Sequence, residues 1–245
     1  MTGLSRSLAV AGEAPRFRRD AAGALWVEVA GATCVLRASG ALWLPAERML
    51  VAGDLHLEKG SSYAARGQLL PPYDTRETLA RLEAEIAALA PRTLVLLGDS
   101  FHDARACERL APDDRARVAR LAWGRTLVWV VGNHDVEALH GLAGDRAEEA
   151  RAGALVLRHE PTGGFGEVAG HLHPCAKVAG RGGAIRRRAY LTDGARLILP
   201  AFGAYTGGLN VLDVAFAGLM ATGAIPCALG RGRVHPIARE ALRGD

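Results

Sequence analysis

Between residues 25 and 53 short apolar runs alternate with turn-forming residues. ALWVEV, TCVLR, ALWLP and RMLVAG are rich in Val, Leu and Trp and set off by glycine or charge, so they predict strands, the last running into Asp54. From residue 75 to 89 the period lengthens: Leu79, Leu82, Ile86 and Leu89 recur at three- and four-residue spacing with charges between, which predicts a helix with one buried face. TLVLLG (93–98) is then a fully apolar strand, DDRARVARLAWG (113–124) a second helix ending at a glycine, and TLVWVVG (126–132) another strand. Two successive strand–helix–strand units imply right-handed crossovers and a largely parallel core sheet, with ligand groups at the carboxyl ends of its strands.

After residue 152 the texture changes to short strands and Gly-rich turns: ALVLRH, GEVAGH, AIRRRAYL, ARLILP and a CALGRGRVHPI hairpin. These predict a second sheet facing the first. No repeat, linker or compositional break divides the chain, so it is expected to be a single α/β domain over 1–245, with residues 1–24 an irregular N-terminal segment. The run LNVLDVAFAGLMATGAIPCALG (209–230) is nearly long enough to span a bilayer, but Asp213, internal glycines and Pro226 argue for a buried helix or strand pair instead.

Composition adds limits. An apolar share of 49% over 245 residues can fill a sizeable core. A formal charge of +4 permits a polyanionic partner without demanding one. Cys34, Cys107, Cys175 and Cys227 stand far apart with no C-x-x-C pair, so neither a structural zinc knot nor a disulfide scaffold is indicated, and reduced intracellular thiols are the simplest reading. The first 20 residues hold no apolar core of signal-peptide length, so a cytoplasmic protein without membrane attachment is expected.

The chemistry gathers where strands end. AGDLHLEKG supplies Asp54 and His56, LLGDSFHD supplies Asp99, VVGNHD supplies Asn133, His134 and Asp135, LRHEP supplies His159, and AGHLHP supplies His171 and His173. An isolated H-x-H is an ordinary turn; with Asp54, His56, Asp99, Asn133 and His159 at strand ends upstream it becomes a ligand pair. Carboxylates, imidazoles and one amide suit a borderline divalent ion such as Mn²⁺, Fe²⁺ or Zn²⁺.

The ordered set D-x-H, G-D, G-N-H-D, H, G-H-x-H resembles the calcineurin-like metallophosphoesterase superfamily. That resemblance implies a four-layer α/β/β/α sandwich of the metallo-dependent phosphatase type and a two-metal site. Asp54, His56 and His173 would serve the first ion, Asn133, His159 and His171 the second, and Asp99 both. His134 would donate a proton to the leaving group, with Asp135 orienting its imidazole. The longer strings AGDLHLEKGSSYAARG, LPPYDT, LGDSFHD, GNHD, HEP, GHLHP and PAFGAYTGG look like the bacterial ligase-associated DNA-damage-response phosphoesterases, the PdeM-type endonucleases, over roughly residues 25–240. This implies a cytoplasmic, Mn²⁺-favouring phosphodiesterase or nuclease encoded with a DNA ligase, a helicase and an exonuclease, with DNA as substrate. Two departures stand out: the superfamily's G-D-x-x-D has His102 in its fourth place with the acid at Asp103, and the subfamily's A-D-L-H begins here with Gly53.

Other residues carry two readings each. His102 and Asp103 either orient ligands or cap a turn. Lys59 and Arg66, on an expected loop, and Arg181, Arg186, Arg187 and Arg188 in GRGGAIRRR either grip a nucleic-acid backbone at the mouth of the site or form a solvated basic surface. Phe202 and Tyr205 either stack a base or pack a Pro/Gly-rich loop, and His140 and His235 are expected in turns or on the surface. Two alternatives to a nuclease remain: a phosphodiesterase or phosphatase of a small nucleotide, and a non-catalytic nucleic-acid-binding partner of the ligase and helicase with structural metals. His134 and Asp135 argue against the latter, which needs no proton donor.

Overall fold

The computed structural model describes residues 15–245 apart from residues 69, 134 and 181. Eight strands form the first sheet in chain order: β1 (Phe17–Arg19), β2 (Leu25–Val29), β3 (Ala32–Leu36), β4 (Leu42–Leu44), β5 (Met49–Gly53), β6 (Thr93–Leu97), β7 (Thr126–Val130) and β8 (Asp145–Ala147). β1 to β5 form an antiparallel meander, and β5 to β8 run parallel. The parallel half needs crossovers, and the helices supply them: α1 (Lys59–Ala64), α2 (Asp74–Leu89), α3 (Ala106–Arg109), α4 (Pro112–Arg120) and α5 (Asp135–Ala138).

The second sheet contains β9 (Glu149–Ala152), β10 (Leu155–Arg158), β11 (Glu167–Ala169), β12 (Cys175–Gly180), β13 (Gly183–Thr192), β14 (Leu197–Ile198), β15 (Ile225–Gly230) and β16 (Arg233–Pro236). Its spatial order is β16-β15-β13-β14-β11-β10-β9, with β12 paired to the first half of β13. β10, β11 and β14 run parallel, so their carboxyl ends share one edge.

Strand alternation divides the core in two. Val51, Val95, Leu97 and Val130 face Leu157, Val168, Tyr190 and Leu197 across the sheets. Leu50, Leu94, Leu96 and Trp129 face the other way, onto Leu79 and Leu82 of α2 and Val118 of α4. Each such leucine is fully buried and stabilises the fold by about 1.5–3 kcal/mol. The α/β class with two large facing sheets is as expected. Among the described residues, Phe216, Leu172 and Met220 pack on Leu191 and Ile198 of the second sheet, from irregular chain and the 3-10 turn Val214–Phe216, and Leu242, Val211 and Ile237 pack on Ala189 and Ala228.

Three expectations need correction. Residues 17–19, expected to be irregular, pair with β2, and Asp20 fastens the following turn by accepting from Ala24 N and Trp26 Nε1 at 3.0 Å each. The second helix stops at Arg120, and 121–124 form a turn. Residues 209–224 form neither a buried helix nor a strand: Leu212 and Val214 are 43% and 83% exposed, and only Ile225–Gly230 enters a sheet. Asp213 caps the short turn through Ala215 N at 2.8 Å, and Gly218 takes a positive φ just beyond it, so the apolar run never reaches helical length. Among the described residues no helix is long and apolar enough to cross a membrane.

Candidate metal centre

The carboxyl ends of five strands meet at one edge. Asp54 follows β5, Asp99 follows β6 after Gly98, Asn133 lies beyond β7, His159 follows β10, and His171 and His173 follow β11 after Gly170. The loops after β5 and β6 are joined by main-chain bonds, Asp54 N to Gly98 O at 3.1 Å and His56 N to Asp99 O at 2.9 Å. Among the described residues ten non-glycine positions have positive φ, and five of them are Asp54 (55°), His56 (44°), Asp99 (44°), His171 (67°) and His173 (47°). A left-handed backbone costs such residues on the order of 1–3 kcal/mol each and persists only where the surroundings enforce it. Its concentration here marks a site shaped for side-chain placement.

Two groups result. Asp54, His56 and His173 bring one ligand atom each to within 4.8 Å of one another, as do Asp99, His159 and His171. In the first, His173 Nε2 lies 3.1 Å from Asp54 Oδ1 and 3.4 Å from His56 Nε2. In the second, His159 Nε2 lies 3.1 Å from His171 Nδ1 and 3.6 Å from Asp99 Oδ1. The other oxygen of Asp99 lies 3.9 Å from His56 Nε2, so one carboxylate faces both groups. Asp54 is steadied by the His171 amide, which donates to both its oxygens at 3.1 Å. Gly98 (φ +73°) is required beside this cluster, because a methyl group there would fall on the His159 imidazole.

The donors fit divalent cations. Asp54, Asp99, His56 and His159 are all buried, and imidazole nitrogens face one another across each group. Buried carboxylates and converging lone pairs need a positive charge between them. Nitrogen and oxygen donors without thiolate suit Mn²⁺, Fe²⁺ or Zn²⁺.

Asn133 is exposed at the rim of the second group, and its Nδ2 donates to Glu160 Oε1 at 3.4 Å. Glu160 Oε1 also lies 3.6 Å from His171 Nε2. Sequence reasoning passed over Glu160, although it is the acid in HEP, directly after His159. His134 lies outside the described residues, as does Arg181. Asp135 is fully buried and accepts from Ser100 N (2.8 Å), Phe101 N (3.2 Å) and Gly132 N (3.1 Å). Burial pushes its carboxyl up to about 6 against the pull of those three bonds. Among described residues its contacts thus fasten the loop after β6 to the segment after β7.

His102 sets its ring 5.8 Å from the His56 ring and 5.9 Å from the Tyr63 ring, beside the first group. Asp103 closes a turn: it accepts from Arg105 N at 3.0 Å and binds Arg109 through both oxygens at 3.0 and 2.8 Å. Lys59 opens α1 instead of lying on a loop; half-buried, it holds its ammonium 5.9 Å from the Tyr63 ring, and burial lowers its pKa. Arg66 is exposed in the turn after α1.

The three arginines of β13 differ in their partners. Arg186 pairs with Asp245 and donates to Gly208 O at 2.5 Å. Arg188 turns inward to Ala201 O (2.6 Å) and Phe202 O (3.2 Å), leaving Arg187 exposed. Phe202 is fully buried with the Arg81 guanidinium 5.0 Å from its ring, so it is not available to stack a base; Tyr205 is partly exposed. His140 is exposed in a turn and His235 is half-buried on β16.

The family description "Calcineurin-like phosphoesterase" matches residues 47–207, which contain every candidate ligand. Among solved structures, the Pseudomonas putida nuclease MPE aligns with a TM-score of 0.68 at 29% identity, over 91% of this chain and 100% of that chain. The E. coli phosphoesterase Yfce aligns with a TM-score of 0.37 at 18% identity, over 65% of this chain and 82% of that chain. No curated protein sequence matches the chain.

Proposed function

Because the chain belongs to the calcineurin-like phosphoesterase family, whose members work with two divalent metals, we propose that it is a Mn²⁺-favouring nuclease that hydrolyses phosphodiester bonds of DNA. Metal-dependent phosphoester hydrolysis itself follows from the family and the two candidate metal groups. The observation that carries the reading is the Asp99 carboxylate, with one oxygen toward each group. Similarity to a nuclease over the whole of that protein's length favours a nucleic-acid substrate.

Asp54, His56 and His173 would hold one ion, Asn133, His159 and His171 the other, and Asp99 both. Bound there, the pair supplies Lewis acidity toward a phosphoryl oxygen and a water acid enough to act as nucleophile near neutral pH. Asn133 contributes a neutral oxygen, which limits negative charge facing an anionic ester. His134, next to Asn133, is assigned the proton for the leaving oxygen, since an imidazole titrates near working pH. Asp135 holds that segment in place from below through its amide bonds. The ligase-associated motif strings support a cytoplasmic repair role, with the ligase, helicase and exonuclease as working partners.

His134→Ala tests the mechanism. Two ions per chain are expected to remain bound while hydrolysis of DNA and of a simple phosphodiester falls by about 10²–10⁴-fold. An unchanged rate overturns the assignment. A panel of DNA, RNA and small nucleotides with Mn²⁺ tests the substrate, and turnover confined to small nucleotides overturns the nuclease reading.

A further inference from the structure

The two flanks of the metal centre carry opposite charge. Beside the second ligand group a pocket of about 390 Å³ is lined by Glu148, Glu149 and Glu160. Arg158 in its wall is already neutralised, by Glu149 at 2.8 Å and Glu167 at 3.8 Å. On the other flank a cleft of about 380 Å³ opens between β13 and the turn joining β15 to β16, lined by Arg186, Arg187, Arg188 and Arg231.

The cleft and the metal centre share a wall. Arg188 donates to Phe202 O, and Phe202 N donates at 2.8 Å to Gly53 O, the residue before Asp54. Arg186 donates to Gly208 O, and Leu209 N reaches Leu172 O, between the two histidines, at 3.4 Å. Arg186 and Arg188 thus build the wall. Arg187 and Arg231 are exposed, and among the described residues neither is bonded to a carboxylate, so they supply the cleft's free charge. Arg231 also occupies a costly position. The hairpin closes with Gly230 opposite Arg233, and both central residues have positive φ, 40° at Arg231 and 75° at Gly232. Such two-residue turns favour Asn or Gly first, and a long cation in that place is held out over the cleft at a cost in backbone strain.

We infer that this arginine cleft is a second binding site, for the sugar-phosphate backbone of a nucleic-acid strand whose scissile phosphate lies at the metal centre. The strand leaves on the β13–β15 side, because the acidic pocket repels it on the β10 side. A backbone carries one negative charge per nucleotide, so two exposed guanidiniums engage about two phosphates flanking the reacting one. The inference rests on the nucleic-acid reading above.

The test compares the Mn²⁺-loaded wild type with Arg187→Glu/Arg231→Glu and the milder Arg187→Gln/Arg231→Gln. A 30-nucleotide DNA strand and bis(p-nitrophenyl) phosphate, which has no flanking phosphates, are the substrates. Binding of the same strand is followed by fluorescence anisotropy from 50 to 200 mM salt with each protein Mn²⁺-loaded and carrying His134→Ala to slow cleavage. The reversal variant is expected to lower DNA hydrolysis relative to the small ester at least tenfold. Both variants should flatten the slope of log affinity against log salt by about 1.5. Glu148→Gln, on the acidic flank, should not weaken binding. Unchanged binding and slope in both double variants overturn the cleft while leaving the nuclease reading standing. Failure of the wild type to bind or cleave any nucleic acid, with the small ester still hydrolysed, overturns both.

Discussion

Glu160 and Asn133 share a hydrogen bond of 3.4 Å, from the amide Nδ2 to Oε1, which turns the Asn133 carbonyl oxygen away from the acid. The same Oε1 stands 3.6 Å from His171 Nε2, while His171 Nδ1 faces His159. One carboxylate therefore backs two candidate ligands of the same ion. Glu160→Ala is expected to weaken the second Mn²⁺ by about 10–100-fold and leave the first unaffected, and Glu160→Gln, which can still accept from Asn133, should recover most of the loss. Calorimetric Mn²⁺ titration reads the two affinities separately; equal weakening at both, or none, contradicts this role.

Asp135 is a fastening residue in the folded chain. Removing it strands three buried amides, of Ser100, Phe101 and Gly132. At roughly 1–3 kcal/mol for each unsatisfied buried group, Asp135→Ala should lose several kcal/mol in urea denaturation. Asp135→Asn keeps one oxygen acceptor and should lose less. Equal stability of all three proteins would remove the assignment.

Gly98 separates steric need from backbone need. It has φ +73° with the His159 ring in the path of any Cβ, whereas Gly67 has φ +80° and open space around it. Gly67→Ala should therefore cost only about 1 kcal/mol of backbone strain. Gly98→Ala should cost more and also lower bound Mn²⁺ toward one ion per chain, as metal analysis would show. Full metal content in Gly98→Ala would mean that His159 is not a ligand.

Asp193 predicts acid sensitivity far from the metal centre. Burial works to raise its pKa, but bonds from Ala221 N, Ala195 N, Arg196 N and the Arg196 guanidinium prevail and hold it below the usual 3.8. A carboxyl lowered on folding contributes stability above its unfolded value, and that contribution vanishes as pH falls through the folded value. Asp193→Asn should be less stable than wild type at pH 6, with the gap closing at pH values below 3.8. A gap independent of pH would contradict the ionic account.

Much of the centre was legible because polar residues at the ends of apolar runs have no packing role. Asp54, Asp99 and His159 each break such a run, and the structure brings them together. β1, β8 and β9 were not legible: FRR, DRA and EARA are short and charged and have no apolar alternation. Residues 209–224 misled by composition, since apolar content says nothing of where Asp213 and Gly218 interrupt a helix. The partners of Arg186 and Arg188, Asp245 and the Ala201 carbonyl, were not legible either, because only the fold brings them together. Glu160 was overlooked because its meaning depends on Asn133, 27 residues away, arriving beside it.

The central claim is a pair of metals joined by Asp99. Metal analysis combined with electron paramagnetic resonance of the Mn²⁺-loaded protein, wild type against Asp99→Asn, tests it most directly. Two Mn²⁺ per chain with exchange coupling are expected in the wild type, and loss of coupling with a lower metal count in the variant. A single uncoupled ion in the wild type, or two coupled ions surviving in Asp99→Asn, would contradict it.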